Sequence, residues 1–271
     1  MQDLKELRKK INELDRELLR LLNERASLSI AVGRLKSRSN DIVFKPFREK
    51  EVLQKLLEQN QGPLPDDHLK AIYREILSSS RRLQKPQTVV YLGPEGTFSY
   101  FAGVEYLGHS ADFIPENNLE DVFKSVAQKK AELGIIPLEN SLQGSVGQSL
   151  DLFLRFDLYI HAEIFCKISH SLLSQEDNLN NIERVYSHPQ ALQQCAGWLN
   201  VHLPHVAVIP EESTARAARR VEEEPKSAAI GHKKLAEMFN LNVLASGIED
   251  LPDNWTRFLI ISAAPPETGN H

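Results

Sequence analysis

The sequence predicts a multidomain protein, with an all-helical domain over residues 1–87 and an α/β domain over residues 88–271. Between residues 4 and 36, apolar side chains recur at alternating spacings of three and four. This pattern is typical of one long helix with a narrow apolar seam. Beyond a short proline-containing boundary at residues 85–88, brief β-branched runs alternate with helical patterns, which favours largely parallel sheets covered by helices.

Two shorter helices are predicted to follow the long one. One begins at Pro46, since proline suits the first turn of a helix, and the segment from Gly62 to Pro65 then breaks the chain. Asp66 and Asp67 mark the first turn of the next helix, where carboxylates complement the macrodipole. In the second domain, strands are predicted over residues 89–92, 133–136, 159–164, 206–209, 228–230 and 258–261.

Composition places the chain among soluble globular proteins, with 41% hydrophobic and 25% charged residues over 271 positions. No apolar run reaches the roughly 18 residues of a membrane-spanning helix, and the charged N-terminus differs from a secretory signal. Cys166 and Cys195 are the two cysteines and form no CxxC pair. We therefore expect a reducing, cytoplasmic environment and no disulfide framework.

The net charge of −5 is unevenly distributed. Residues 1–87 carry 19 basic and 13 acidic side chains, a net charge of +6, and the remainder carries −11. Basic and acidic residues alternate in the first domain and aromatic residues are sparse, so a nucleic-acid surface is not expected. His202 and His205 have no acidic or cysteine partner at a useful spacing, so no metal site is expected.

Polar residues interrupt the apolar stripe of each predicted helix in the first domain. Arg25 takes a seam position of the long helix, Glu49 extends the stripe of the second, and Ser80 and Gln84 continue that of the third. An anion should lie against Arg25, because an unpaired buried guanidinium is costly. Glu49 could supply it, and Ser80 and Gln84 could belong to a fraying helix end. Together, however, the four predict a polar pocket for a small dianion with hydroxyl and ether oxygens.

The length of the first helix predicts a homodimer. Arg8 and Lys36 lie on the same edge of the seam, and the 28 residues between them correspond to roughly 42 Å of helix, too far for one small ligand. No other helix of the domain is long enough to cover the seam. An antiparallel pair of long helices would bring Arg8 of one copy towards Lys36 of the other, so that sites are shared between chains.

Four sequence segments of the first domain, ELRKKINELD, NERASLSIAVGRLK, FREKEVL and REILSSSRRLQ, resemble the all-helical class of chorismate mutase. That family forms an intertwined dimer and rearranges chorismate to prephenate without a cofactor. Lys45 departs from the family pattern, in which some relatives carry aspartate. The resemblance implies substrate contacts at Arg8 of the second copy, Arg25, Lys36, Arg48, Glu49, Ser80 and Gln84.

A pericyclic rearrangement needs a bound reactive conformer and stabilisation of charge on the breaking ether bond. In the roles that the resemblance implies, Arg8 and Arg25 clamp the two carboxylates, as the guanidinium fork suits. Lys36 and Gln84 donate hydrogen bonds to the ether oxygen, and Glu49 orients the ring hydroxyl. Lys36, Glu49 and Gln84 are therefore the predicted catalytic residues of this domain.

Four polar loops follow or precede predicted strands in the second domain, at residues 93–99, 137–147, 187–195 and 253–258. In open α/β sheets, ligands bind at the carboxyl ends of strands, so these loops are candidates for the site. Turn formation and helix capping are the alternative for any one of them. The first loop lacks the Gly-Lys-Ser/Thr ending of a phosphate loop, and His188 is interpreted as a loop hydrogen-bonding residue.

The motifs YLGPEGTFS, PLENSLQGSV, VYSHPQALQQC, STARAA, AAIG and NWTRF resemble those of prephenate dehydratases, in the same order. That family has two α/β lobes like a periplasmic binding protein, with the site in the cleft between them. Thr256 corresponds to its leading catalytic residue, a hydrogen-bond donor to the departing hydroxyl. Arg257 would bind a carboxylate or form a structural ion pair, and the first is favoured. The other implied substrate contacts are Glu139, Asn140, Ser141, Ser187 and Gln194.

The two resemblances together imply a bifunctional enzyme of phenylalanine biosynthesis that makes and consumes prephenate. Its expected partners are chorismate, prephenate and a second copy of itself, without nucleic acid or membrane. Relatives usually continue into a phenylalanine-binding ACT domain, whereas this sequence ends just past the last predicted strand of the dehydratase domain, either because the chain is naturally short or because it is a truncated piece. Weak or absent feedback by phenylalanine is expected in both cases. Two alternatives remain at this point: the second domain could be a non-catalytic binding module, and the first a dimerisation arm.

Overall fold

The computed structural model describes residues 3–39 and 43–266, which form two compact units. The first unit contains the described residues as far as Gln87, together with Leu107–Asp112. The second contains Thr88–Tyr106 and Phe113–Pro266. Among the described helices, none combines the length and the apolar content that crossing a bilayer requires.

The described residues of the first unit form the helices α1 (Leu4–Ser39), α2 (Pro46–Gln59) and α3 (Asp66–Gln84). The predicted start of α2 at Pro46 is confirmed, and its fixed φ suits this position. The predicted placement of Asp66 and Asp67 in the first turn of α3 is also confirmed. The sequence signals for helix starts are local, so they predict the starts correctly whatever the tertiary packing.

Only the C-terminal half of α1 packs against α3. Gly33 is buried there, and a Cβ atom added to it would lie 2.8 Å from the Cα atom of Gln84. The seam residues in the N-terminal half have no such cover, with Leu14 69% exposed and Leu18 56% exposed. An apolar stripe of this length is unusual on the surface of a soluble protein.

The second unit is built from strands and helices that alternate along much of the chain. Its strands are β1 (Thr88–Leu92), β2 (Asp112–Glu116), β3 (Leu133–Asn140), β4 (Gly144–Ser145), β5 (Tyr159–Lys167), β6 (Ser171–Ser174), β7 (Arg184–Ser187), β8 (Ala207–Pro210), β9 (Ser227–Gly231), β10 (Asn242–Ser246) and β11 (Trp255–Ser262). Its helices are α4 (Phe98–Leu107), α5 (Leu119–Ala127), α6 (Gly147–Arg155), α7 (Pro189–Gln194), α8 (Ala196–His202), α9 (Thr214–Glu223) and α10 (Leu235–Met238).

These strands form two sheets, one in each lobe. One sheet has the order β2-β1-β3-β11-β5, with β4 paired to β3, and the other has the order β10-β6-β9-β7-β8. The expectation of largely parallel sheets is wrong, because β11 runs antiparallel to both β3 and β5, and β6 runs antiparallel to β9 and β10. The reason is topological. Strand β11 lies near the end of the described chain, but it returns to the first sheet and inserts between β3 and β5, which come much earlier in the sequence.

Each sheet is covered by helices over an apolar core. In the first sheet, Ile136 and Leu259 pack with Phe123 of α5, and all three are almost completely buried. In the second, Leu173 and Tyr186 belong to the same buried cluster as α9. Burial of such side chains contributes about 1.5–3 kcal/mol each, which fixes the strand ends that carry the polar loops.

Candidate active sites

The first cluster of predicted site residues lies between α1 and α3. Arg25 donates a hydrogen bond through Nη1 to the hydroxyl of Ser80, which in turn donates to the carbonyl of Ile76 at 2.8 Å. Gln84 Nε2 donates to the carbonyl of Ser80 at 3.2 Å. Arg25 therefore meets a neutral hydroxyl, and no carboxylate of the described residues forms an ion pair with it.

Glu49 pairs with a residue that the sequence interpretation missed. Both of its carboxylate oxygens lie 2.5 Å from Nη1 of Arg81, whose side chain is only 5% exposed. The Arg81 Nη2 group donates to the carbonyl of Leu107, and the guanidinium carbon lies 5.7 Å from the centre of the Phe44 ring. The signal in the sequence was weak, since Arg81 follows Ser80 and lies one position off the apolar stripe.

The remaining residues predicted for this site differ in their surroundings. Gln84 Oε1 is buried and has no hydrogen-bond partner among the described residues. Lys36 is half-buried on α1, and Lys45, also half-buried, accepts a hydrogen bond from the Glu49 amide at 3.1 Å through its carbonyl. Arg48 is exposed and pairs with Glu51, and Arg8 is exposed near the start of α1.

The second cluster surrounds a cavity of about 320 Å³ in the second unit. The segments that line it include the β1–α4 loop, the end of β3, the segment before β6, α7, the start of α9 and β11. Among the polar side chains that face it are Thr97, Asn140, His170, Gln194, Thr214 and Thr256.

Asn140 and Thr256 are direct partners across the antiparallel pair β3–β11. The amide nitrogen of Asn140 lies 2.9 Å from Thr256 Oγ1 and 2.8 Å from Asn254 Oδ1. Its amide oxygen accepts from the backbone N–H groups of Leu142 and Gln143 at 3.1 and 3.2 Å. Because the oxygen is fixed by two N–H donors, the nitrogen is fixed as the donor to Thr256.

Comparison with known proteins assigns both units to families. A family model described as prephenate dehydratase matches residues 89–266, and one described as chorismate mutase type II matches residues 7–85. The bifunctional chorismate mutase/prephenate dehydratase of Aquifex aeolicus is 44% identical over 97% of this chain and 74% of its own length. The chain belongs to the bifunctional chorismate mutase/prephenate dehydratase family.

Further relatives agree with this assignment. The bifunctional chorismate mutase/prephenate dehydratase of Stutzerimonas stutzeri is 42% identical over 98% of this chain and 75% of its own length. The structure of a prephenate dehydratase from Arthrobacter aurescens, solved in complex with L-Phe, matches with a TM-score of 0.62 and 35% identity. That match covers 67% of this chain and 63% of the solved one. The chain is thus an enzyme with a chorismate mutase and a prephenate dehydratase domain, which act in phenylalanine biosynthesis.

The dehydratase cavity combines a largely apolar lining with neutral polar side chains. No Lys or Arg is found among the described residues that line it, and its carboxylate, Glu212, forms an ion pair with Arg216. Instead, α4 and α9 begin at the cavity wall, and Ser213 caps α9 by accepting from the Arg216 amide at 3.1 Å. Helix N-termini carry partial positive charge and unpaired N–H groups, which suits an anionic substrate.

Two histidines line the dehydratase cavity. Burial lowers the pKa of His170, and its Nε2 atom lies 2.9 Å from Gln194 Oε1. Burial also lowers the pKa of His188, whose Nδ1 atom accepts from the Gln190 amide at 3.3 Å and caps α7. Because Nδ1 is an acceptor in this cap, the structure agrees with the interpretation of His188 as a loop hydrogen-bonding residue.

Arg257 and Glu139 do not line the dehydratase cavity. Neighbouring side chains of a strand point to opposite faces, so Arg257 is directed away from the face that carries Thr256. Its guanidinium lies 2.5 Å from one oxygen of Glu163 and 3.8 Å from one of Glu139. The structure thus shows the ion pair that was the less favoured interpretation, and the substrate contacts of Arg257 and Glu139 stay predictions.

Ser141 and Ser187 also lie outside the described lining of the cavity. The Ser141 hydroxyl donates to the carbonyl of Asp253 at 3.1 Å and accepts from the Trp255 amide at 2.9 Å, which joins two loops. Ser187 is fully buried and donates to the carbonyl of Ile230 at 2.6 Å. Both side chains stabilise the backbone next to the cavity, and their contacts with substrate stay predictions.

Sequence reasoning assigned no role to several residues that line the dehydratase cavity. Thr97 and Ser99 belong to the quoted motif YLGPEGTFS, and Ser213 and Thr214 to STARAA. These four residues could have been predicted from the motifs, because a strand–loop–helix order places such residues at a helix N-terminus. His170 had no local signal, since only the tertiary fold brings it to Gln194.

Proposed function

We propose that prephenate loses water and carbon dioxide in the cavity of the second unit, with Thr256 as the hydrogen-bond donor to the departing hydroxyl. The observation that supports this role is the hydrogen bond from Asn140 Nδ2 to Thr256 Oγ1 at 2.9 Å. A hydroxyl that accepts from an amide keeps its own hydrogen for another acceptor. The bond also polarises the O–H group towards proton donation.

Besides this hydrogen-bond donor, the reaction needs groups that hold the carboxylates of prephenate. The bond between the ring and its carboxylate breaks, its electron pair completes the aromatic ring, and the hydroxyl leaves from the opposite ring carbon. Negative charge therefore develops on the departing oxygen, where a fixed O–H donor acts best. The helix N-termini of α4 and α9 would hold the carboxylates. Gln194, which lines the cavity, would add an N–H donor.

A single assay tests the assignment. Wild-type chain is given chorismate while prephenate and phenylpyruvate are followed together, and both are expected to form in sequence. Thr256→Val should stop at prephenate, with the dehydratase kcat reduced about 10²- to 10⁴-fold, the usual range for loss of a proton donor. Thr256→Ser keeps the hydroxyl and should retain far more activity. Binding of prephenate without any phenylpyruvate from the wild-type chain would instead indicate a binding module.

We propose further that the chorismate mutase domain works as a homodimer with shared sites. The supporting observation is the exposed seam of α1, including Leu14 and Leu18, since a second α1 would bury it. Arg25, Ser80 and Gln84 already lie together, and the second N–H group of the Gln84 amide would donate to the ether oxygen. Arg8 of the second copy would supply the second carboxylate contact.

A mixing experiment distinguishes shared sites from separate ones. Arg8→Ala and Arg25→Ala chains should each lack mutase activity, since each dimer then has two damaged sites. After subunit exchange, half of the dimers are mixed and one of their two sites is intact, so about a quarter of wild-type sites should return. No recovery, with mixed dimers shown to be present, would contradict sharing. Dehydratase activity serves as the internal control.

We propose the cytoplasm as the location, on the basis of the cysteines. Cys195 is fully buried, and burial raises the pKa of its thiol to about 12. Burial also raises the pKa of the Cys166 thiol to about 11. Both therefore stay protonated at neutral pH and are poor nucleophiles, as expected of structural thiols. Cell fractionation followed by an assay of both activities tests the location.

A further inference from the structure

His170 is held rigidly at the wall of the dehydratase cavity. It directly precedes β6, it is 2% exposed, and its amide donates to a carboxylate oxygen of Glu249 at 2.8 Å. Its ring packs edge-on against Phe98, with ring centres 5.6 Å apart. A ring fixed on its backbone and on one face has little freedom to rotate.

The position of the ring proton follows from the partner. His170 Nε2 lies 2.9 Å from the amide oxygen of Gln194, and an amide oxygen can only accept. Nε2 therefore carries a hydrogen and donates to Gln194. Burial disfavours the charged ring, so the imidazole is neutral and Nδ1 bears a lone pair. That Nδ1 atom is buried without a partner among the described residues.

Hydrogen bonds hold both the main chain and the side chain of Gln194. Its main-chain carbonyl accepts from the amide of Asp250 at 2.7 Å, and its side-chain oxygen accepts from His170. Its side-chain nitrogen makes no hydrogen bond within the part of the chain that the structure describes. Since Gln194 lines the cavity, its NH₂ group is the free end of the side chain.

We propose that His170 is the positioning residue for Gln194, and that it holds the Gln194 NH₂ group ready to bind a carboxylate of the substrate. The inference rests on the proposed dehydratase function. Recognition of a dianion in a cavity lined without Lys or Arg depends on neutral N–H donors, so their orientation matters more than usual. Without His170, the Gln194 amide can rotate and present its oxygen, which repels a carboxylate.

The test compares His170→Leu, which removes the donor, with His170→Gln, whose amide nitrogen reaches a similar position. His170→Leu should raise the KM for prephenate about tenfold, with a smaller change in kcat, as expected for lost ground-state binding. His170→Gln should recover most of that loss. His170→Leu combined with Gln194→Leu should be no worse than Gln194→Leu alone, because the two residues act as one unit.

His232→Leu is the matched control. His232 also packs edge-on against Phe98, at 5.4 Å between ring centres, but it does not belong to the described lining of the cavity. A merely structural loss should therefore appear equally in the His232 and His170 variants, as lower stability without the selective rise in KM. Direct titration of prephenate into a Thr256→Val background gives the same comparison as affinities, independent of turnover.

The outcomes separate the two proposals. If wild-type chain makes no phenylpyruvate from prephenate, the proposed dehydratase function fails, and the role of His170 with it. If wild-type chain is active but His170→Leu leaves KM and affinity unchanged, only the role of His170 is overturned. Additive losses in the double variant, or a His170→Gln variant as impaired as His170→Leu, would also overturn it.

Discussion

Asn140 and Thr256 face each other across two antiparallel strands, with 2.9 Å between the amide nitrogen of the first and the hydroxyl oxygen of the second. The direction of this hydrogen bond matters more than its presence. Two backbone N–H groups hold the Asn140 oxygen, so the nitrogen must face Thr256 and the threonine hydrogen can donate to another acceptor. The register of β3 against β11 thus sets the chemistry of the hydroxyl.

Asn140→Asp reverses this bond with almost no change in shape. A carboxylate can only accept, so the Thr256 hydroxyl would donate to it rather than to the departing oxygen. We expect dehydratase kcat to fall about 10²- to 10³-fold, the cost of losing one fixed donor. Steady-state kinetics with prephenate measures this, and mutase activity of the same chain is the control. Near-normal kcat in the variant would contradict the donor role of Thr256.

Arg81→Met should destabilise the mutase domain, because it leaves the Glu49 carboxylate half-buried without its partner. Loss of one member of a buried pair costs about 3–5 kcal/mol, and the partial exposure of Glu49 reduces this to about 2–3. Far-UV circular dichroism during urea unfolding measures the change. Mutase activity should also fall, since the predicted contact of Glu49 with the ring hydroxyl would lose its support.

Arg82→Met is the matched control for this change. Arg82 is the next residue on α3 and pairs with Asp112 at 2.6 Å, but both side chains are 48% exposed. Exposed pairs contribute about 0–1 kcal/mol, so this variant should unfold almost like wild type. Equal losses in the two variants would show that Arg81 contributes no more than a surface charge.

Gly33→Ala should push α1 away from α3. The added Cβ atom would lie 2.8 Å from the Cα atom of Gln84, which is backbone and cannot rotate aside. Overpacking of this kind costs about 1–3 kcal/mol, more than the helix propensity gained from alanine. Mutase activity should fall with stability, since Gln84 moves. Gly147→Ala, in open space at the start of α6, should be neutral or stabilising when both are tested by thermal unfolding.

His232 should make the dehydratase domain less stable in acid. Burial, then the positive charge of Lys234, lowers its pKa from 6.5 to about 4. The unfolded chain therefore binds a proton first as pH falls, so stability is greatest above about pH 6.5 and declines from there towards pH 4. One proton contributes a slope of at most about 1.4 kcal/mol per pH unit.

His232→Phe removes this proton while keeping an aromatic ring against Phe101. Urea unfolding at pH 7 and pH 5, followed by the fluorescence of Trp198 and Trp255, should show a smaller loss of stability in the variant. Both tryptophans of the chain lie in the dehydratase domain, so they report on it alone. His205→Asn, an exposed site, is the control. An unchanged slope in His232→Phe would contradict the prediction.

Local patterns in the sequence predict the helices of the first unit and several strands of the second unit, where short apolar runs coincide with strands. Pro46, Asp66 and Asp67 act within one helical turn, so the helix starts that they predict do not depend on tertiary contacts. The polar residues that interrupt the apolar stripes, such as Arg25 and Gln84, can also be identified from the sequence, because spacing alone defines a position on the stripe. The alternation of strand side chains could have placed Arg257 on the face opposite Thr256.

The contacts between distant side chains depend on the tertiary fold. Arg81 with Glu49, His170 with Gln194 and Asn140 with Thr256 are separated by 32, 24 and 116 residues along the chain. The antiparallel insertion of β11 between β3 and β5 creates the last of these contacts, and alternating helix and strand patterns suggested a parallel arrangement instead. Local spacing fixes which face a side chain occupies, but the partner across that face is set by packing between distant segments.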